Sequence, residues 1–160
     1  MATQWEAATD AARDAGGRVV NLRTSVVLDR RATSMQLMML PFRVGVGGRL
    51  GSGEQYYPTI SLRDYVHSVT RLTTDGSLSG PFNLVAPVPA TNADFTRALA
   101  SAMHRPSFVP VPAFAIKTLA GALSSEVLGS VRATPRALSE AGYTFSDPTI
   151  GDQLASALAP

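Results

Sequence analysis

Cysteine is absent from this chain of 160 residues. Its absence excludes disulfide bonds, thiolate metal ligands and a cysteine nucleophile, and it favours a cytoplasmic protein. His67 and His104 stand far apart with no acid at metal-ligand spacing, so we expect surface or capping roles for them and no metal site. No apolar run reaches the roughly 18 residues that a spanning helix needs, so we expect no membrane association.

Lysine is also scarce, because Lys117 is the only one and arginine supplies the rest of the 14 basic residues. The 12 acidic residues leave a formal net charge of +2. The arginines are scattered and form no basic stripe interleaved with aromatic residues. We therefore expect a solvated surface and no nucleic-acid partner.

What the chain does have is a sequence block typical of nucleotide-dependent enzymes. Phe82, Leu84 and Val85 predict a short strand, which two prolines end shortly afterwards. Thr91, followed three residues later by Asp94, forms a variant of the capping box and predicts a helix over 92–103.

The rest of the chain predicts mostly helices and two further strands. The strands, 18–22 and 26–28, are near-continuous apolar runs, which is typical of parallel strands covered on both faces. We expect strand 18–22 to lie beside the strand at 82–85 and parallel to it. A capping box at Thr3 predicts one helix that ends at 16–17. The remaining predicted helices are 64–73, 112–121, 124–130, 135–141 and 148–159, the last opened by Asp147 and carrying a buried stripe of Ile150, Leu154 and Leu158.

Five segments resemble, in order, those of one enzyme family: 17–29, 41–55, 59–66, 79–114 and 134–150. The family is the extended short-chain dehydrogenase/reductases, in the NAD-dependent epimerase/dehydratase branch that ends in a small domain of unknown function. The resemblance implies an α/β fold: the C-terminal part of a Rossmann-type extended reductase, mostly helices with a few short parallel strands and a helical terminal cap. We expect residues 1–105 to form a partial Rossmann sheet with the substrate-side segment, and 106–160 the C-terminal helical cap domain.

Two hallmarks of that family are missing from the chain. A complete member begins with a strand, a glycine-rich turn and a helix that hold the dinucleotide pyrophosphate. Gly45, Gly48 and Gly51 have the spacing of that turn, but the sequence after them does not predict a helix. The family's Tyr-x-x-x-Lys would place a tyrosine four residues before Lys117, where the chain has Ala113. We therefore expect the N-terminal Rossmann half to be absent and no catalytic residue to lie in this chain.

The resemblance also implies which residues contact ligands. The family's cofactor is NAD or NADP, and the positions nearest its nicotinamide end are Thr24, Ser25 and Val26; neither cofactor is expected to bind this chain alone. The glycine-rich loop of the family faces the substrate, where Arg49 and Gln55 offer polar groups and Tyr56 a stacking surface. Alternatively, Arg49 only solubilises the loop. Asp64 is expected to join the two parts of the chain.

Two functions remain open from the sequence. The first is the C-terminal, substrate-binding portion of an NAD(P)-dependent epimerase or oxidoreductase, inactive without an N-terminal cofactor-binding half. The alternative is a non-catalytic interaction domain that pairs with a full-length homologue through an exposed sheet edge. The expected partner is accordingly the missing half or a homologous chain, and a homo-oligomer is a further option. The family pattern is altered at Ser25, Ser61, Arg63 and 32–34, through either a changed substrate preference or relaxed selection.

Overall fold

The computed structural model describes residues 2–107 and 129–159, which form four strands and seven helices. The strands are β1 (Val20–Thr24), β2 (Val26–Leu28), β3 (Thr59–Ser61) and β4 (Gly80–Leu84). The helices are α1 (Ala2–Ala7), α2 (Asp10–Asp14), α3 (Thr33–Arg43), α4 (Leu62–Thr74), α5 (Asn92–Ala102), α6 (Arg136–Glu140) and α7 (Ile150–Leu158). The predicted helix 112–121 lies outside the described residues, as does 124–130 except for Gly129 and Ser130, which are not helical. None of the described helices is long and apolar enough to cross a bilayer.

All strand pairing is parallel in the part of the chain that the structure describes. Strand β1 pairs with β4 from Val20 opposite Gly80 to Thr24 opposite Leu84. Strand β2 pairs with β3 in the same sense. The two pairs adjoin, since the Ala86 N–H just beyond β4 donates to the Thr59 carbonyl at 2.9 Å. The expected fold class and the parallel neighbourhood of the first and last strands are confirmed. Strand β2 has its predicted bounds, whereas the bounds of β1 and β4 differ from their predictions by one or two residues.

Two hydrophobic clusters hold the elements together. The first joins β2, α3, α5 and α7 through the buried side chains of Leu28, Met35, Met39, Phe42, Phe95, Leu99, Ala100 and Leu154. The second joins β3, α4, β4 and α6 through Ile60, Leu72, Phe82, Leu84 and Leu138. Each cluster takes residues from both the expected sheet portion and the expected cap, so the C-terminal helices are part of the cores. The predicted stripe of α7 is confirmed, with Leu154 fully buried and its neighbours Ile150 and Leu158 packed beside it.

The N-terminal helix differs from its prediction. Two short helices, α1 and α2, replace the single helix expected, and Thr3 lies inside α1 rather than before it. The break falls at Thr9, whose hydroxyl and N–H both donate to the Glu6 carbonyl, because such side-chain bonds compete with helix continuation. Trp5 is 75% exposed and α2 buries no residue.

Helix α3 was not expected from the sequence. It includes Pro41 in its last turn, so the glycine-rich segment leaves the helix at Val44 rather than starting at Pro41. The methionines at 35 and 39 are buried in the first cluster, so they pack in the core. After the helix, Gly47 packs against the Phe42 ring so closely that a Cβ would lie 2.4 Å from it.

Helix α7 begins later than predicted and with a different cap. Thr149 is its N-cap and forms a complete capping box with Asp152. Asp147 was expected to open this helix, and that prediction is wrong. Its carboxylate is instead buried against Arg63 at the start of α4, a partner that a local sequence pattern cannot reveal.

Candidate ligand-binding groove

A groove of about 800 Å³ runs along strand β1. Helix α1 forms one wall with Trp5 and Glu6, and residues 131–133 form another. The lining includes every residue of β1 together with Ser25, Pro58, Asn83 and Val85. Ligands of parallel α/β folds bind at the carboxyl ends of strands, and this groove includes that end of β1.

The three residues expected near a cofactor lie at this end but face different ways. Thr24 is exposed at the last position of β1 and lines the groove. Ser25 also lines it, although its hydroxyl donates to the Leu84 carbonyl at 2.7 Å and so helps to join β1 to β4. Val26 begins β2 and packs against the first hydrophobic cluster. Thr24 therefore has the most accessible polar side chain of the three.

An ion pair closes one side of the groove. The Arg23 guanidinium binds both carboxylate oxygens of Glu6, at 2.6 and 2.7 Å, and thereby joins β1 to α1. The hydrogen bond from Arg23 holds the pKa of Glu6 below its ordinary value. Such exposed pairs stabilise a fold little, but this one neutralises two of the charges in the groove.

Residues 130–134, which we call the crossing segment, run along one side of the groove. They contact Tyr56 and Asn83 at three points. The Ser130 hydroxyl accepts from the Tyr56 N–H at 3.1 Å, and the Thr134 carbonyl accepts from the Asn83 side chain at 3.0 Å. Between them, the Arg132 guanidinium carbon lies 5.6 Å from the centre of the Tyr56 ring. Tyr56 is thus next to the groove, as a substrate-side residue would be.

The glycine-rich loop is held against helix α5 by one buried amide. The Asn92 side-chain oxygen accepts from the Leu50 N–H at 2.8 Å, and the backbone N–H of Asn92 donates to the Gln55 carbonyl at 2.9 Å. The Gln55 side chain is buried and donates to the Leu50 carbonyl at 2.9 Å. Arg49 is exposed, with its Cβ and Cδ beside Gly53. The structure therefore separates the three expected substrate residues: Tyr56 borders the groove, whereas Arg49 and Gln55 belong to the loop.

A second polar cluster joins the start of α4 to the C-terminal segment. Asp64 is fully buried and accepts from the Tyr143 hydroxyl at 3.1 Å and from the N–H groups of Ser146 and Asp147 at 2.9 and 2.8 Å. Burial alone raises the pKa of Asp147, but hydrogen bonds led by the one from Arg63 outweigh it and hold the pKa below its ordinary value. Asp64 thus joins the two parts of the chain as expected.

Two tyrosines are poorly suited to act as general bases. Burial raises the pKa of Tyr57 to about 12, with Phe95 packed edge-on against its ring at 5.0 Å. The pKa of Tyr143 is raised by burial and by the neighbouring Asp64. Both stay protonated at neutral pH, whereas the family's mechanism needs a phenolate. Residues 2–107 and 129–159 also contain no cluster of three or more side chains suited to a metal ion.

Comparison with known proteins identifies relatives of this chain. Residues 111–157 match a family described as a domain of unknown function, DUF1731. An epimerase family protein of Mycobacterium bovis is 42% identical over 155 residues, which are 96% of this chain and 52% of that protein. This chain is homologous to the C-terminal part of the epimerase family proteins. It spans about half the length of the curated relatives it matches.

Two solved structures extend the comparison to three dimensions. The human epimerase family protein SDR39U1, solved with NADPH, is 34% identical with a TM-score of 0.82, over 87% of this chain and 48% of that one. A nucleoside-diphosphate sugar epimerase from Corynebacterium glutamicum is also 34% identical, with a TM-score of 0.75, over 96% of this chain and 29% of that one. This chain therefore has the fold of a portion of the Rossmann-type epimerases.

The sequence did not indicate that the crossing segment is part of the groove. Asn83 and Arg132 have no motif around them that indicates ligand binding, and they lie far apart in the chain. They meet the groove only because β4 and the crossing segment are brought together by folding. The polar residue Asn83 within an otherwise apolar strand was the one available signal.

Proposed function

We propose that this chain supplies the substrate side and C-terminal cap of an NAD(P)-dependent epimerase or oxidoreductase. In this proposal the other half of the fold, in the same polypeptide or in another, supplies the pyrophosphate site and the catalytic base. The single observation that carries the proposal is the groove along β1, which reaches the carboxyl end of this parallel strand, where Thr24 and Ser25 line it.

The similarity to SDR39U1 supports a dinucleotide as the ligand at this end of the groove, since that protein was solved with NADPH. Thr24 and Ser25 would contact the nicotinamide end, and Val26 would support them from the core. Tyr56 would face the substrate beside the crossing segment. Arg49 and Gln55 would act from the loop, Arg49 as an exposed cation and Gln55 by fixing the loop's shape.

Cofactor placement can be tested by blocking the groove. The chain is joined to the N-terminal half of a related epimerase, and NADPH binding is measured by fluorescence. Thr24→Trp fills the carboxyl end of β1 from an exposed position, so we expect it to weaken NADPH binding about ten-fold or more without unfolding the protein. Thr70→Trp, at an exposed position of α4 outside the groove, is the matched control and should bind as the parent does. Equal affinity in both variants contradicts this cofactor placement.

The loop can be tested in the same fusion by turnover on small carbonyl and nucleotide-sugar panels. If Arg49 binds an anionic group of the substrate through two N–H groups, lysine cannot replace it, and Arg49→Lys should lose much of the activity that Arg49→Ala loses. Stability should hardly change, since the side chain is exposed. Activity equal to the parent in both variants would leave Arg49 with a solubilising role only.

A non-catalytic interaction domain is the second candidate, and one observation favours it. Strand β1 has β4 on one edge only among the described residues, and Leu22 on it is 40% exposed. An open edge of this kind pairs readily with another strand. A fusion that binds NADPH yet turns over nothing, with Arg49 variants indistinguishable from the parent, favours this candidate over the enzymatic one.

A further inference from the structure

A second cleft lies away from the groove, where strands β2 and β3 end. Three arginines line it, Arg30 and Arg31 just after β2 and Arg63 at the start of α4, and the end of α7 closes it; we call it the arginine cleft. Its volume is about 310 Å³, and it shares no lining residue with the groove. The carboxyl ends of parallel strands are where α/β folds commonly bind ligands, and the proposed function makes no use of this one.

Two of the three arginines are held in place by acids. Arg31 donates through Nε and Nη2 to the Asp29 carboxylate, both at 3.2 Å. Arg63 donates through the same two nitrogens to Asp147. Neither Nη1 group has a hydrogen-bond partner within the described part of the chain. Each guanidinium therefore keeps donors for a ligand while its position is already fixed, which lowers the entropy lost on binding.

Arg30 gives the cleft its excess charge. The two arginine–acid pairs neutralise themselves, and no acid of the described residues lies within ion-pair distance of Arg30. Its backbone is fixed, because its N–H donates to the Ala157 carbonyl at the end of α7, at 3.2 Å. The helix ends add little, since the positive start of α4 and the negative end of α7 both border the cleft. The net positive charge favours an anionic ligand.

We propose that the arginine cleft binds a phosphate or pyrophosphate group, with Arg30 as the uncompensated charge and Arg31 and Arg63 as further donors. Guanidinium N–H groups form strong charge-assisted hydrogen bonds with phosphoryl oxygens. The volume is at the lower end of the range for small-molecule sites, which suits a compact anion rather than a dinucleotide. A bound anion would link the end of β2, the start of α4 and the end of α7, and so stabilise the fold.

The site can be measured on the chain itself with pyrophosphate as the probe. Calorimetry and thermal unfolding are compared with sodium chloride at matched ionic strength, and we expect saturable binding and a rise in Tm that chloride does not reproduce. Arg30→Gln should weaken binding about ten-fold, the loss typical of a charge-assisted contact. Arg43→Gln removes an exposed arginine outside the cleft and should bind like the parent. Equal affinities of these two variants overturn the proposal.

A second pair of variants tests the cleft without removing an arginine. Ala159→Glu places an acid on the cleft wall and should abolish pyrophosphate binding. Ala155→Glu, at an exposed position of α7 outside the cleft, should leave binding unchanged. Both variants lower the net charge by one, so equal weakening by the two would show a general charge effect and overturn the site. Circular dichroism of each variant separates lost binding from lost structure.

The source of the phosphoryl group and the place of binding are distinguished by two further arms. ADP that binds more tightly than pyrophosphate, in an Arg30-dependent way, assigns the cleft to a nucleotide, whereas tighter pyrophosphate binding assigns it to the free anion. Thr24→Trp, which fills the groove, should leave pyrophosphate binding unchanged. A loss in that variant places the anion in the groove and overturns the proposal, as does the absence of saturable binding by the parent.

Discussion

Asp64 and Asp147 are neighbouring buried carboxylates, and each has its own set of hydrogen-bond donors. Asp64 accepts from backbone N–H groups of the C-terminal segment, including that of Asp147. Asp147 accepts from the Arg63 guanidinium, and the Arg63 side chain is half exposed. Buried charges are tolerated only with such partners, so these contacts fix the C-terminal segment on the start of α4.

The lowered pKa of Asp147 predicts acid sensitivity. A carboxyl whose pKa is lower in the folded state stabilises the fold above its unfolded pKa of about 3.9, and this contribution is lost as pH falls through the folded value. Urea unfolding measured from pH 6 downward should therefore show stability decreasing with acid. Asp147→Asn should be less stable at pH 6 and lose less between pH 6 and acid, while Asp14→Asn, at an exposed position, should follow the parent. Parallel pH curves for Asp147→Asn and the parent would contradict this.

The family resemblance implies aspartate at position 63 and histidine at position 61, but Arg63 and Ser61 are both integrated into this fold. Ser61 is the N-cap of α4 and accepts from the Asp64 N–H. Arg63 is the charged partner of Asp147. These two departures therefore have a structural role, and relaxed selection is not needed to explain them.

Restoring the family residue at position 63 should accordingly be harmful. Arg63→Asp removes the partner of a buried carboxylate and adds a third acid beside Asp64 and Asp147, so we expect a clear decrease in the free energy of unfolding. Arg136→Asp is the control: its partner Glu140 is exposed, and an acid suits the first turn of α6, so the free energy of unfolding should hardly change. Equal effects in chemical denaturation would show that the Arg63 contact contributes nothing.

At the scale of elements, the two capping boxes are the clearest local signals. Thr91 with Asp94 opens α5, and Thr149 with Asp152 opens α7 in the same way. Thr91→Ala and Thr149→Ala should each cost about 1 kcal/mol, because each leaves a helix N–H without its acceptor. Thr70→Ala on α4 changes an exposed threonine that caps no helix and is the matched control in thermal and urea unfolding. A Thr149 variant as stable as this control would contradict the assignment of the cap.

The capping boxes also show how far local sequence patterns reach. The Thr91 box and the parallel strand pair β1–β4 could be predicted, because their signals lie within a few residues or follow from strongly apolar runs. The start of α7 could not, because Asp147 resembles an N-cap until its partner Arg63, 84 positions away, is known. Helix α3 was hidden by Pro41, because a proline beyond the first turn is disfavoured in a helix and so argues against one, yet the structure has it inside α3.

The site shows the same limit. Thr24 and Ser25, which the family resemblance assigns to the cofactor, line the groove, and Tyr56 lies beside it; their ligand contacts stay a prediction. The crossing segment could not be placed, since its contacts with Tyr56 and Asn83 span more than fifty residues of sequence. Loop residues of this kind are positioned by the scaffold, so their chemistry becomes visible only after folding.

At the scale of the whole molecule, the surfaces around β1 are unusually open. Helices α1 and α2 contribute no buried side chain among those described, and the groove separates them from the crossing segment. The chain also spans about half the length of its curated relatives. In the proposed function, the other half of the fold covers these surfaces and completes the groove.

The chain alone should bind neither NADH nor NADPH appreciably. The described residues contain no glycine-rich turn that leads from a strand into a helix, which is the arrangement that holds a dinucleotide pyrophosphate. The glycines at 45, 48 and 51 lie in a loop that continues to β3 without a helix. Calorimetry or nucleotide fluorescence should therefore show no binding tighter than about 10 μM, which corresponds to roughly −7 kcal/mol. Tighter binding would require a complete site within these residues.

The open edge of β1 should make the isolated chain associate or remain loosely packed. An unpaired parallel edge with exposed apolar side chains pairs with another strand or binds apolar probes. We expect sedimentation to show a concentration-dependent dimer, or a monomer that binds a hydrophobic dye. Leu22→Lys places a charge on that edge and should reduce both dimer formation and dye binding. Val66→Lys, at a 48% exposed position of α4, should reduce neither. A monomer with a sharp thermal transition and no dye binding would show that the chain covers its own sheet, and the interaction-domain function would lose the edge on which it depends.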